Sequence, residues 1–349
     1  VNEKKKVLYF RADANAHIGN GHIMRCLTIA DACAEQGMQP VFLLADETPQ
    51  ELITSRGFEA RVFGTDYRNM ESELPLYGKM AEQGATILAD SYFLTMEYME
   101  QLRELGYHVA WMDDLGAQSY PADCLINYNL YAQELDYHKR TQKEICYLLG
   151  ASYAPVRPSF RKAVYKVKKQ LRNILITTGA SDPYHAGCLF AEALLCADPD
   201  WQVSVICGAY NTDAEKLEKM AEDYGHRLRV LQHLTDLSDV MYGSDLAIAA
   251  AGSTLYELCA VGVPALVYEF ADNQHQGAEA FSRKTGRCCL GDLRVQPKEA
   301  VKTACEEAER LKDPETRRGI SEQMKELSDG CGASRIAKKL GTLAERRSV

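Results

Sequence analysis

The chain reads as an α/β protein built from two doubly wound parallel-sheet domains. Three observations predict this. Short β-rich runs alternate with helical patterns along most of the length, the rhythm of βαβ units. The alternation restarts near residue 173, after a proline-bearing segment. A length of 349 residues also exceeds one average domain. Two such halves would direct their strand C-termini toward a central cleft, where ligands of this fold class bind.

In the first half the strand candidates are 7–10, 40–44, 60–63, 86–89, 108–112 and 124–126. Helical patterns at 23–35, 49–55, 72–82 and 95–105 lie between most of them. In the second half strands are predicted at 173–177, 202–206, 229–231, 246–249 and 265–268, with a helix from about Tyr184. Between the halves, Ala154-Pro155-Val156-Arg157-Pro158 carries two prolines, which bar a helix and stiffen an extended linker. The expected domains are therefore 1–157 and 158–349. Charged helices at 298–312, 314–327 and 333–346 would close the second domain, unless the last crosses back to the first.

Composition narrows the function. Hydrophobic content of 46% and charged content of 26% are ordinary for a globular protein. A net charge of -9 argues against nucleic acid or an anionic membrane as partner. The Lys4-Lys5-Lys6 run is short and reads as solvated, and the apolar stretch after it breaks at Arg11 and Asp13, too soon for a signal peptide. No window approaches a membrane span, and the expected location is cytoplasmic. Twelve cysteines show no C-x-x-C pair, and Cys288 and Cys289 are adjacent. Cys26, Cys33, Cys188, Cys196, Cys259 and Cys305 lie in helical patterns and read as free, buried thiols of a reducing compartment.

Gly19-Asn20-Gly21-His22 joins the first strand to the first helix. A glycine turn there lets a ligand approach the backbone, and the helix N-terminus favours negative charge. It is neither a dinucleotide fingerprint nor a P-loop, because Met24 takes the third glycine's place and no Gly-Lys-Ser/Thr follows. The plainest role of His22 is a helix cap. Against that, Arg11, Asp13, His17, His22 and Arg25 crowd one junction, and a helix N-terminus favours the neutral imidazole that a general base needs.

Gly179-Ala180-Ser181-Asp182-Pro183 reads as a helix start with Asp182 as N-cap and Pro183 at the first helical position, beside a glycine able to cradle phosphate. Gly252-Ser253-Thr254 is a third glycine loop, and Thr254 with Glu257 fits a capping box; Glu257 could instead hold the vicinal hydroxyls of a ribose. Asn273 and Gln274 offer the paired donors and acceptors that sugar hydroxyls require. Asp90-Ser91-Tyr92 and Asp113-Asp114 end two strands and read as loop caps or as parts of a site. Asp198-Pro199-Asp200 reads as a turn, and no metal or cofactor is called for. Zinc-protease and serine-hydrolase motifs do not occur.

The pattern from Gly252 through Glu257, Gly262-Val263-Pro264 and Asp272-Asn273-Gln274 resembles the nucleotide-sugar signature of GT-B proteins, notably the lipid II-forming N-acetylglucosaminyltransferases. Arg11-Ala12-Asp13, Gly19-Asn20-Gly21-His22 and Arg25-Cys26 resemble the UDP-2,4-diacetamido-2,4,6-trideoxy-β-L-altropyranose hydrolase family of pseudaminic acid biosynthesis. Asp90-Ser91-Tyr92, Asp113-Asp114, Arg157-Pro158-Ser159-Phe160 and Gly179-Ala180-Ser181-Asp182 extend that likeness. The resemblance implies a GT-B-like pair of Rossmann-type domains and a UDP-sugar substrate. It implies His22 as the base for an attacking water, with Tyr92 and Asn273 lining the sugar site. Arg11, Asp13, Gly19, Gly21, Arg25, Asp90 and Gln274 would contact substrate. Gly179, Ala180, Ser181, His233, Leu234, Gly252, Ser253, Thr254 and Glu257 would hold UDP. A monomer is expected, with a weak homodimer as the alternative. A GT-B glycosyltransferase, a hydrolysing 2-epimerase and a non-catalytic UDP-sugar-binding subunit are the competing readings.

Overall fold

The computed structural model describes residues 6–15, 17–117, 119–140, 145–208, 210–286 and 289–345. The expectations placed on Lys4, Lys5, Cys288 and Arg346 lie outside the described residues. The chain forms two compact units, 1–156 with 331–349, and 157–330.

The first unit carries seven strands: β1 (Val7–Ala12), β2 (Gln39–Leu44), β3 (Glu59–Val62), β4 (Thr86–Asp90), β5 (His108–Met112), β6 (Cys124–Asn127) and β7 (Cys146–Leu149). They form one sheet in the order β3-β2-β1-β4-β5-β6-β7, and every pairing is parallel. The helices of this half are α1 (Gly21–Glu35), α2 (Gln50–Ser55), α3 (Tyr77–Met80), α4 (Met96–Glu104) and α5 (Tyr137–Arg140). The second unit carries β8 (Asn173–Thr177), β9 (Gln202–Cys207), β10 (Leu228–Gln232), β11 (Leu246–Ala250) and β12 (Ala265–Tyr268), ordered β10-β9-β8-β11-β12 and again all parallel. Its helices are α6 (Ala186–Ala197), α7 (Ala214–Tyr224), α8 (Ser238–Gly243), α9 (Thr254–Val261), α10 (Asp272–Thr285), α11 (Pro297–Arg310) and α12 (Pro314–Leu327).

Both sheets reverse direction once, beside their first strand. In the first sheet the chain runs β1 to β3 on one side and returns to place β4 against β1, pairing Ala12 with Asp90. In the second the reversal falls between β8 and β11. A sheet of this kind leaves a crevice outside the strand C-termini at such a reversal, because the flanking loops diverge to opposite faces.

Parallel strands covered on both faces read as continuous apolar runs, and β4 and β11 are buried at every residue. Strand β7, a four-residue edge strand with mixed burial, is not among the strands expected from the sequence. The helix expected over 72–82 is instead a 3-10 segment, Met70–Leu76, running into α3. Pro75 lies inside it and cannot donate an α-helical hydrogen bond.

The last helix, α13 (Gly332–Glu345), belongs to the first unit, so the second unit ends at 330 and not at 349. Packing against α1 decides this. Its buried face is Ile336, Ala337, Leu340 and Leu343, and Gln36 donates to the Ser334 carbonyl at 3.0 Å. Gly332 permits the docking, since a Cβ there would stand 2.1 Å from the Ala154 carbonyl oxygen. Arg157, placed at the end of the first domain by sequence, belongs to the second unit. The expected free thiols are buried at Cys26, Cys33, Cys188 and Cys259, but Cys305 is only half-buried and Cys196 is exposed at the end of α6, 3.3 Å from the Tyr224 hydroxyl.

Arg11 and Asp13 serve the core and do not face a ligand. Arg11 is fully buried on β1, and its Nε and Nη2 donate to Glu73 at 2.7 and 2.5 Å while Nη1 donates to Asp13 at 2.5 Å. Tyr98 and Thr65 hydroxyls complete the Glu73 shell at 3.2 Å each, and the other Asp13 oxygen accepts from Ala45 N at 2.8 Å. One cation here is shared by two buried carboxylates. Glu73→Gln leaves Arg11 paired with Asp13 but weakens the two-pronged, charge-assisted contact, and is expected to lower unfolding stability by about 1.5–3 kcal/mol in urea titrations.

Candidate functional site

The β1–α1 loop is shaped by Asn15. Its side-chain oxygen accepts from His17 N at 2.9 Å and Ile18 N at 3.1 Å, and its carbonyl accepts from Gly19 N at 2.8 Å. Gly19 sits at φ +69°, a conformation that favours glycine, and Gly21 opens α1. His17 is exposed on this loop. The cap of α1 is Asn20, with no side-chain capping bond, so His22 is not a cap. It is the second helical residue, and its buried ring turns across to the end of β4.

There His22 Nδ1 lies 2.7 Å from Asp90 Oδ1. An ionised carboxylate only accepts, so Nδ1 carries a proton, and in the neutral imidazole the lone pair is then on Nε2. Nε2 has no hydrogen-bond partner among the described residues. The orientation comes from a carboxylate on a neighbouring strand rather than from the helix end. Asp90 is fully buried, and burial alone would push its carboxyl up. The adjacent Arg25 guanidinium outweighs burial and holds Asp90 well below the usual carboxylate range. Arg25 reaches Asp90 through Nε and Nη2, both at 2.5 Å, and Asp114 through Nη1 at 2.9 Å. Arg25 thus engages two protein carboxylates while also bordering the cavity beside His22.

Tyr92 follows two residues after Asp90 and packs edge-on against the His22 ring, with centroids 4.6 Å apart at 79°. It is 56% exposed, and Leu115 across the loop after β5 is 61% exposed. With Ser91, Trp111 and Asp114 they line a cavity of about 30 Å³ beside His22. The two neighbouring aspartates divide their work. Asp113 accepts from Gly116 N at 2.8 Å and the Tyr137 hydroxyl at 2.5 Å, a structural duty, whereas Asp114 faces Arg25 and the cavity. Sequence reading could not separate them, because their assignment depends on which side of β5's end each leaves.

In the second unit the sequence motifs lie on loops at the C-terminal edge of the sheet. The turn Gly179-Ala180-Ser181 follows β8, but its helix begins later than expected. Asp182 and Pro183 precede α6, whose first residue is Ala186 after His185 at φ +58°. Asp182 still receives the helix N-terminus, accepting from Ala186 N and Gly187 N at 2.8 Å each. Those two donors are occupied, so the first turn of α6 is not an open phosphate cradle. The β11–α9 loop differs. The cap of α9 is Ser253, without a side-chain bond, so the Thr254–Glu257 capping box does not form. Among the described residues no backbone acceptor takes Ser253 N or Thr254 N, which stay available to an anion.

Glu257 stands one turn into α9, and Arg157 approaches it at 3.6 Å. The same arginine donates to the Thr235 carbonyl at 2.7 Å, tying the His233-Leu234 loop to α9. His233 sits at φ +55° and Leu234 is 40% exposed. Arg157 is not among the expected site residues; its sequence signal is its place in Arg157-Pro158-Ser159-Phe160, one of the segments carrying the family likeness, and its contact with Glu257 is set only in the fold. Asn273 is exposed in the first turn of α10, whereas the Gln274 side-chain oxygen is spent on Phe270 N at 2.9 Å, leaving only its amide for a ligand. The structure thus gathers His22, Arg25, Asp90 and Tyr92 in the first unit, and Glu257 with the His233 loop in the second; Arg11 and Asp13 join neither.

Residues 159–329 match the glycosyltransferase family 28 C-terminal domain. That match falls within the second unit, 157–330. Over 81% of its length the chain is 23% identical to the uncharacterized protein MJ1062 of Methanocaldococcus jannaschii, and the match spans 59% of that relative. It is 23% identical, over 80% of its own length and 97% of the relative, to the UDP-2,4-diacetamido-2,4,6-trideoxy-beta-L-altropyranose hydrolase of Campylobacter jejuni. Among solved structures it is similar to MurG of Acinetobacter baumannii, with a TM-score of 0.67 and 13% identity over 97% of this chain and 99% of the other. The fold is GT-B-like, and its second Rossmann-type unit is the part that matches the family 28 model. No helix among the described residues is long and apolar enough to cross a membrane.

Burial pushes the Glu257 carboxyl up to about 7, against the opposing pull of Arg157, although the side chain is still 21% exposed. The folded state therefore holds a proton that the unfolded chain releases near 4.5. The sign follows from that difference: the contribution of Glu257 to stability is complete below about 4.5 and is lost as pH rises through about 7. Thermal midpoints of Glu257→Gln are expected to lack this decline, measured between pH 5 and roughly pH 8 by scanning calorimetry.

Proposed function

We propose that this protein hydrolyses a UDP-linked sugar at its anomeric carbon, with His22 as the base. The observation that carries the reading is the His22–Asp90 pair beside a small cavity, at the strand reversal of the first unit. The family 28 domain and the hydrolase relative support a UDP-sugar as substrate class. The step balances simply. A water oxygen forms a bond to the anomeric carbon, and the bond from that carbon to the UDP oxygen breaks with its electron pair leaving on UDP. The water proton passes to His22 Nε2 and then to solvent. A diphosphate is a good leaving group, so one base suffices and inversion results, without the carboxylic acid that ordinary glycosides require.

In the second unit, Ser253 N and Thr254 N would hold the diphosphate, Glu257 the ribose hydroxyls, and the His233-Leu234 backbone the uracil. Asn273, Tyr92 and the Gln274 amide would contact the sugar. The substrate of the hydrolase relative, in the route to pseudaminic acid, is the first candidate. A cytoplasmic monomer is the accompanying expectation.

The family 28 match equally favours a glycosyltransferase, in which His22 would deprotonate an acceptor hydroxyl instead of water. Incubation in ¹⁸O water with UDP-2,4-diacetamido-2,4,6-trideoxy-β-L-altropyranose and UDP-N-acetylglucosamine separates the two. Label on the released sugar and none on UDP is expected. No release without an acceptor would favour the transferase. A positioned base contributes roughly 10²–10⁴-fold, so His22→Asn should lose at least about 10² in kcat. UDP affinity, read by calorimetry, should be unchanged in that variant, and near-normal hydrolysis would remove His22 from the reaction.

A further inference from the structure

Behind His22 the structure carries charges that the reaction as written does not use. Arg25 is a single cation shared by two aspartates, Asp90 at 2.5 Å and Asp114 at 2.9 Å. Its Nη2 also lies 3.2 Å from His22 Nδ1, and its Nη1 lies 3.1 Å from the Tyr128 hydroxyl. Asp114 is further held by Asn129 Nδ2 at 3.2 Å. Cys26 Sγ, from the same helix as Arg25, caps the second Asp90 oxygen at 3.6 Å. Asp90 is thus filled by donors on both oxygens, and one of those donors is the imidazole.

We propose that Asp114, acting through Arg25, is a positioning residue that sets the basicity and the tautomer of His22. The inference rests on His22 being the base. The groups facing His22 or its partners Asp90 and Arg25 are Arg25 and Cys26 from α1, Asp90 and Tyr92 from the end of β4, Asp113 and Asp114 after β5, and Tyr128 after β6. Asp113 also borders the cavity, but its hydrogen bonds go to Tyr137 and Gly116 N and not to Arg25. The charges coupled to the ring are then one cation and two carboxylates, a net charge of minus one. When His22 takes a proton from water, the quartet becomes neutral. Without Asp114 it would start neutral and end with an uncompensated cation in a mostly buried place, which disfavours proton uptake.

Two further consequences follow from the geometry. Arg25 cannot accept a proton or a hydrogen bond, so its approach to Nδ1 does not offer the ring an alternative acceptor. Its fork also pins both Asp90 oxygens, so the carboxylate cannot rotate to release the imidazole. Lysine at position 25 would supply the charge but not the fork.

The test uses the full chain with UDP-2,4-diacetamido-2,4,6-trideoxy-β-L-altropyranose. Asp114→Asn is expected to lower kcat by roughly three- to tenfold with KM within about twofold, and to move the acid limb of the kcat profile to lower pH by about half a unit. Asp114→Glu, which keeps the charge, should restore the limb toward the wild-type position. Thermal midpoints and UDP affinity serve as folding controls. A loss of kcat with the acid limb unmoved overturns the inference and leaves Asp114 a merely structural residue. A wild-type profile in Asp114→Asn, with His22→Asn inactive, overturns the inference alone. Full turnover by His22→Asn overturns the parent reading and this one with it.

Discussion

The buried carboxylate of Asp90 is the interaction on which the candidate site depends. A lone carboxylate in this position would take up a proton to escape its environment. Arg25, one turn beyond His22 on α1, supplies two charge-assisted bonds and keeps it ionised. The same carboxylate then has an oxygen for the imidazole, and the first turn of α1 is tied to the end of β4. Strand pairing makes this possible. Placing β4 against β1 sets Asp90 beside Ala12, at the base of the loop that leads into His22.

The charges at the same junction separate into two groups. Arg11 and Asp13 lie on β1 and its immediate end, where the Arg11 guanidinium is shared between Asp13 and Glu73. His22, Arg25, Asp90 and Asp114 are mostly buried too, but they border the cavity, where Tyr92 and Leu115 remain exposed. A core ion network and the candidate site are made from the same residue types; the adjoining cavity separates them. The second unit repeats the logic. Asp182 occupies the N-terminus of α6, while the start of α9 keeps backbone donors open.

Much of the architecture was legible in the residues. Apolar runs bounded by polar turns located eleven of the twelve strands, because fully buried parallel strands leave an unbroken hydrophobic signal. The signal failed where burial is one-sided, at the edge strand β7, and where a proline converts a helical pattern into a 3-10 segment. It also could not assign α13, since an amphipathic helix states that it has an apolar face but not which surface receives it.

For the site, sequence by itself determined the chemical inventory: a histidine in a glycine-bearing strand-to-helix turn, aspartates at strand ends, and a glycine loop opening a helix that bears Glu257. These are local features, set by neighbours a few residues away. Tertiary structure alone decided the partners. It joined His22 to Asp90 across 68 positions and Arg25 to Asp114 across 89, turned Arg11 inward to Glu73, and brought Arg157 from the linker to Glu257. Coulombic attraction and hydrogen bonding act over a few ångströms in space, whatever the separation along the chain, so the sheet order had to be known before a candidate site could be told from a core ion pair.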